Sequence, residues 1–101
     1  MSLVCTQENR TLTARISGEL DHHAALQIMQ GLEGQIDAAL PALLTLDLSA
    51  LSFTDSSGIA VLLRAQRSMG RLGGKMVVTH TPPQAEKVFR AAGLQRLITF
   101  Q

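Results

Sequence analysis

Hydrophobic and polar positions along this chain switch between two periods. Thr11-Leu12-Thr13-Ala14-Arg15-Ile16-Ser17 alternates every second residue, the mark of a half-buried strand. Leu3 to Gln7 is short and strand-like, and Glu8-Asn9-Arg10 reads as the turn of a hairpin with Gly18-Glu19-Leu20 as its exit loop. The period then lengthens. Ala25, Ile28, Leu32, Ile36 and Ala39 fall on one face of a helix from about His22 to Leu40. Asp21 is a good N-cap for that helix, Gly31 and Gly34 weaken it by up to ~1 kcal/mol each relative to Ala, and Pro41 blocks its continuation.

Leu43 to Leu48 is apolar on both faces except at Thr45 and Asp47, as expected of a central strand covered on at least one side. Asp55-Ser56-Ser57-Gly58 follows, small and polar, with three candidate N-caps in a row. The helix after it turns Ile59, Leu62, Leu63 and Met69 inward and sets Arg64, Arg67 and Arg71 on another face. Gly70 and the pair Gly73-Gly74 end it in a left-handed turn. Lys75 to Thr79 is the next strand, and Thr81-Pro82 gives an N-cap followed by proline at the first helical position. Ala85, Val88, Phe89 and Ala92 form the inner face of a third helix that Gly93 stops, and Leu97 to Phe100 closes as a short strand. The order β-β-α-β-α-β-α-β predicts one α/β domain, a mixed sheet with right-handed crossovers and helices packed on it.

Composition narrows the function. A chain of 101 residues with 46% hydrophobic residues makes one domain with a real core. Aromatics are only 3%, with no Trp or Tyr, so the core is aliphatic and a base-stacking surface is not expected. A net charge of +1 without a dense Lys/Arg block speaks against sequence-independent nucleic-acid binding. The single cysteine, Cys5, excludes an intrachain disulfide and a Cys-rich zinc site; it is assigned to the core. The N-terminal residues lack the pattern of a signal peptide, and no apolar run approaches the roughly 20 residues that span a bilayer. A soluble, cytoplasmic protein is the expectation.

The candidate chemistry sits at Asp55–Gly58. A helix starting there aims unbonded backbone N–H groups and the positive end of its dipole at the serines, which suits a serine that will carry a phosphate. The plainer reading is that these residues only cap the helix. Ser56, His22 and Asp21 could be forced into a hydrolase triad, but the Gly-x-Ser-x-Gly elbow is missing and two of the three share one helix start. Asp55 as a response-regulator phosphoacceptor would need an acidic Mg²⁺ cluster near the N-terminus, and Leu3 to Gln7 has none. His22 and His23 diverge on a helix, and His80 is the only other histidine, so neither metal nor cofactor is expected. The arginine stripe reads as a solvated face or as a contact for an acidic partner. Asp47 receives no role.

Gly18-Glu19-Leu20-Asp21-His22-His23, Leu51-Ser52-Phe53-Thr54-Asp55-Ser56-Ser57-Gly58 and Gly73-Gly74-Lys75-Met76-Val77-Val78 together resemble the bacterial anti-anti-sigma factors, founding members of the STAS domain family. The match spans nearly the whole chain in order, and is nearest the sporulation type. The resemblance implies a non-enzymatic switch. The unphosphorylated protein binds an anti-sigma factor that is also a serine kinase and so releases the sigma factor. Phosphorylation of Ser56 by that kinase ends the binding, and a serine phosphatase reverses the mark. It implies protein partners and neither direct nucleic-acid nor membrane binding. The partner surface falls on Asp21, Asp55, Ser56, Ser57, Gly58, Arg64 and Arg67, with Ser57 as the structural cap and Gly58 admitting a partner's backbone. The alternative within the family is a regulator of another pathway: general stress response, cell envelope, or a larger signalling assembly. Family members usually carry a further C-terminal helix, absent or trimmed in a sequence that ends at Gln101.

Overall fold

Asn9 and Arg10 both adopt left-handed backbone, with φ of 50° and 64°. This two-residue turn folds β1 (Ser2–Glu8) antiparallel onto β2 (Thr11–Leu20), as the alternating pattern predicts. The computed structural model describes residues 2–101.

β2 serves two neighbours. Thr11 to Arg15 pair in parallel with β3 (Leu43–Asp47), and Gly18 to Leu20 pair in parallel with β4 (Leu51–Thr54). The change comes at Gly18, which takes φ 87° as the register shifts between it and Glu19. The expected exit loop Gly18-Glu19-Leu20 is therefore strand, with Ser52 of β4 left as the extra residue at the register shift and fully buried Leu20 as the anchor. β4 is an addition to the expected order, too short to show a period of its own.

β5 (Lys75–Thr79) pairs with β3 and β6 (Thr99–Phe100) with β5, giving the order β1-β2-β3-β5-β6 with β4 beside β2. Among the described residues only β1 and β2 pair antiparallel. From β2 onward each parallel step moves the same way across the sheet, so right-handed crossovers place α1 (His22–Ala39), α2 (Ser57–Arg71) and α3 (Pro83–Ala91) on one face. Leu12, Ala14, Ile16, Leu44, Leu46 and Val78 line that face and meet Ile28, Leu32 and Ile36 of α1 and Val61, Leu62 and Met69 of α2.

Three expectations near the end of the chain are corrected. Pro82 occupies the N-cap of α3 and Pro83 the first helical position, one residue later than expected, because His80 takes φ 57° and Pro82 is itself extended (ψ 154°). Ala92 is exposed at the C-cap rather than on the inner face. The closing strand is shortened to Thr99–Phe100 because a 3₁₀ turn, Leu94–Arg96, buries Leu94 ahead of it.

Candidate functional site

Leu20 and Thr54 are register partners at the ends of β2 and β4. The two helices that follow these strands, α1 and α2, therefore begin side by side. At the first, Asp21 caps α1 as its position predicts, its Oδ1 accepting the Ala24 N–H at 3.0 Å. At the second, the cap is Asp55: its Oδ1 accepts the Ser57 N–H at 2.7 Å. Ser57, expected to be the cap, is the first helical residue, because Asp55 reaches its N–H first.

Ser56 is left over. It is exposed, takes helical dihedrals (φ −63°, ψ −16°), and its side chain makes no capping bond. Its carbonyl accepts the Ile59 N–H at 3.1 Å, so the backbone is held while the hydroxyl is not.

The Asp55 carboxyl is held below the ordinary aspartate range. The Ser57 backbone N–H is the main cause, opposed by some burial and assisted by the Ser57 hydroxyl, the His22 backbone N–H and the His22 ring. Asp55 thus stands as an anion between the two helix starts, next to Ser56. His22 and His23 lie beside it, exposed, with ring centroids 4.0 Å apart and tilted by 37°.

Thr54 holds this turn from below. It is fully buried, its Oγ1 lying 3.1 Å from the Leu20 carbonyl and 3.0 Å from that of Asp55. Its backbone is gripped from α3: Gln84 Oε1 accepts the Thr54 N–H at 3.0 Å and Gln84 Nε2 donates to the Thr54 carbonyl at 2.8 Å. Sequence reasoning missed Gln84. A lone glutamine in the first turn of a helix carries no signal that its amide will complete a strand.

Gly58 is buried, and a Cβ there would run into Thr54 Oγ1 and lie 3.4 Å from Leu20 Cδ2. The close approach that this glycine permits is internal, between α2 and β4, rather than to a partner's backbone.

The arginine stripe is divided. Arg64 makes a two-pronged bond to Glu33 of α1, at 2.9 and 3.1 Å, and Arg71 bonds Ser68 Oγ at 3.2 Å. Arg67 is exposed further along α2. Asp47 belongs to a second cluster, where the ends of β3 and β5 lie beside the middle of β2. It lies 3.5 Å from Arg15 Nε and 3.5 Å from His80 Nδ1, and accepts the Ser49 N–H at 2.9 Å. Partial burial would raise its carboxyl, but the Ser49 N–H and hydroxyl with Arg15 and His80 outweigh it and leave the group low. Cys5 is half-buried at the rim of the core rather than within it, and burial pushes its thiol up. Among the described residues no three His, Cys, Asp or Glu side chains gather to hold a metal ion, and no helix is long and apolar enough to cross a membrane.

A five-strand path with a short branch strand thus presents an exposed serine beside two capped helix starts. The STAS domain model matches residues 2–101, and the chain belongs to that family. An anti-sigma F factor antagonist of Lysinibacillus sphaericus is 34% identical over 84 residues, covering 83% of this chain and 72% of that protein. The structure of the anti-sigma factor antagonist SpoIIAA in its unphosphorylated form superposes with a TM-score of 0.84 at 29% identity, covering 99% of this chain and 88% of that one. The Bacillus cell fate determinant SpoIIAA in its phosphorylated form superposes with a TM-score of 0.75 at 29% identity, covering 99% and 91%.

Proposed function

We propose that this protein is an anti-sigma factor antagonist of the partner-switching kind, acting by binding rather than by catalysis. Its unphosphorylated form binds an anti-sigma factor serine kinase through the surface around Asp21, Asp55, Ser56 and Ser57, and phosphorylation of Ser56 ends that binding until a serine phosphatase removes the mark. One observation carries the reading: Ser56 is exposed, its backbone is held in the first turn of α2, and its hydroxyl is unused by the cap. The names of the relatives, one of them solved in phosphorylated and unphosphorylated forms, support it.

The physics of the switch follows from Asp55. A phosphate on Ser56 adds about −1.5 to −2 charge at neutral pH. It would stand beside a carboxylate already ionised and already using the Ser57 N–H. The fold tolerates such a group because it points to solvent at a helix N-terminus. A partner that covers the site would have to desolvate both anions. Arg67 supplies a cation on the same helix for an acidic patch of the kinase, whereas Arg64 is engaged by Glu33.

The test is incubation with an anti-sigma factor serine kinase from the same genome and ATP. One phosphate on Ser56, with loss of the kinase complex on a native gel, is the expected outcome. Label on Ser57, or a phosphorylated protein that keeps its complex, refutes the reading.

A further inference from the structure

The edges of the sheet are closed to different degrees. β6 is two residues long, and β4 has the Gln84 amide bonded to Thr54. β1 is seven residues long and pairs only with β2. The two-residue turn at Asn9-Arg10 makes Glu8–Thr11 a hydrogen-bonded pair, and the alternation of an antiparallel ladder does the rest. Ser2, Val4, Thr6 and Glu8 direct their backbone groups to β2; Leu3, Cys5 and Gln7 direct theirs outward. Long open edges are ordinarily guarded by lysine, proline or a bulge. Residues 2–7 contain none of these and no charge.

The flank of α1 above this edge is equally uncharged. A cleft between β1 and α1 is lined by Leu3, Cys5, Gln27, Gly31 and Gln35.

We propose that the β1 edge is a self-association surface on which a second copy of this chain pairs antiparallel about a two-fold axis at Cys5. The register follows from the outward residues. Leu3 of one copy meets Gln7 of the second, Cys5 meets Cys5, Val4 meets Thr6 and Ser2 meets Glu8. This is the one alignment that pairs all seven residues, and it opposes no like charges, since Glu8 faces Ser2. Two strands of each copy would then lie on either side of the axis. With strands about 4.8 Å apart and α1 riding over β1 and β2, the two α1 helices come to about 10 Å, a separation at which helices pack. Their uncharged flanks, with Gln27, Gly31 and Gln35, face one another. The interface is closed and uses the same patch on both copies. It employs neither Ser56 nor Asp55, so it stands apart from the proposed function.

Sedimentation equilibrium over a concentration series tests this on the full chain. A monomer–dimer equilibrium is expected. Val4 is 55% exposed and Thr6 is exposed too, so both accept polar replacements without loss of the fold, which circular dichroism verifies. Val4→Lys with Thr6→Lys sets ammonium groups opposite one another twice per dimer and should weaken it at least about tenfold. Val4→Lys with Thr6→Glu makes the same positions complementary and should retain the dimer. A chain that stays monomeric at every concentration overturns the proposal. So does a dimer that survives the double lysine variant, or one that both double variants disrupt equally.

Discussion

Gln84 does for Thr54 what a neighbouring strand would do. Its side-chain amide accepts the Thr54 N–H at 3.0 Å and donates to the Thr54 carbonyl at 2.8 Å, tying the start of α3 to the strand that runs into Asp55 and Ser56. Gln84→Met keeps the length of the side chain and removes both bonds. Two backbone groups of a buried residue then lose their protein partners, and stability should fall by about 1–2 kcal/mol, less than two full desolvation penalties because the site borders solvent. Urea unfolding with an unchanged slope and a lower midpoint is the signature. A midpoint equal to wild type would mean that water replaces the amide at no cost.

Gly58→Ala should overpack the junction of α2 and β4, since the new methyl runs into Thr54 Oγ1. A cost of about 1–3 kcal/mol is expected. Thr54→Ala removes the atom that is struck. The double variant should therefore be less destabilised than the sum of the singles, by about 0.5 kcal/mol or more. Simple additivity would show that the glycine is needed for another reason.

Acid should unfold this protein partly through Asp47 and Asp55. Both carboxyls are held below the ordinary value of 3.8, so the folded chain binds their protons less readily than the unfolded chain. Their contribution is complete above that value and is lost as pH falls through the lower folded ones. Asp47→Asn and Asp55→Asn should each lower stability at neutral pH and flatten its decline below about pH 4. Denaturant midpoints from pH 7 to pH 2 measure this, and an unaltered acid limb in both variants would exclude these residues as its source.

Ser56→Ala should fold as well as wild type, within about 0.5 kcal/mol, because the hydroxyl makes no capping bond. It should also keep kinase binding. Ser56→Asp should fold too, in the favourable field of the helix start, yet bind the kinase more weakly. A penalty of about 2 kcal/mol, roughly thirtyfold in affinity, is the scale set by one more desolvated charge beside Asp55. Calorimetric titration of both variants decides it. Equal affinities for Ser56→Asp and wild type would remove charge as the basis of the switch.

Asp21→Ala should cost about 0.5–2 kcal/mol through loss of the Ala24 cap bond. Thermal unfolding followed by far-ultraviolet dichroism reports it. A variant with unchanged melting would show that the start of α1 is held by its packing instead.

Local pattern was enough for what local physics controls. The alternation in Thr11–Ser17, the helical spacing of Ala25, Ile28, Leu32 and Ile36, and Asp21 ahead of that run are each decided by residues within a turn or two of one another. The same holds for Asp55-Ser56-Ser57-Gly58 as a helix start, since a cluster of capping residues before an apolar stripe has few other uses. What the sequence could not divide was labour within the cluster. Asp55, Ser56 and Ser57 are all able to cap, and only the backbone path out of Thr54 lets Asp55 take the Ser57 N–H and leaves the Ser56 hydroxyl outside.

The remaining features depend on residues about thirty positions apart. β4 is a strand because the end of β2, Gly18 to Leu20, pairs with it and Gln84 seals its other side; four residues have no period to declare this alone. Gly58 is required by distant Leu20 as well as by nearby Thr54, and Arg64 is occupied because Glu33 of α1 lies opposite it. Asp47 gains Arg15 and His80 only when β2, β3 and β5 are laid in register. Amphipathic period and capping chemistry act over the reach of a few residues and so can be read along the chain. Edge closure, internal clearance and ion pairing between elements act through space, and the packed sheet alone brings their partners together.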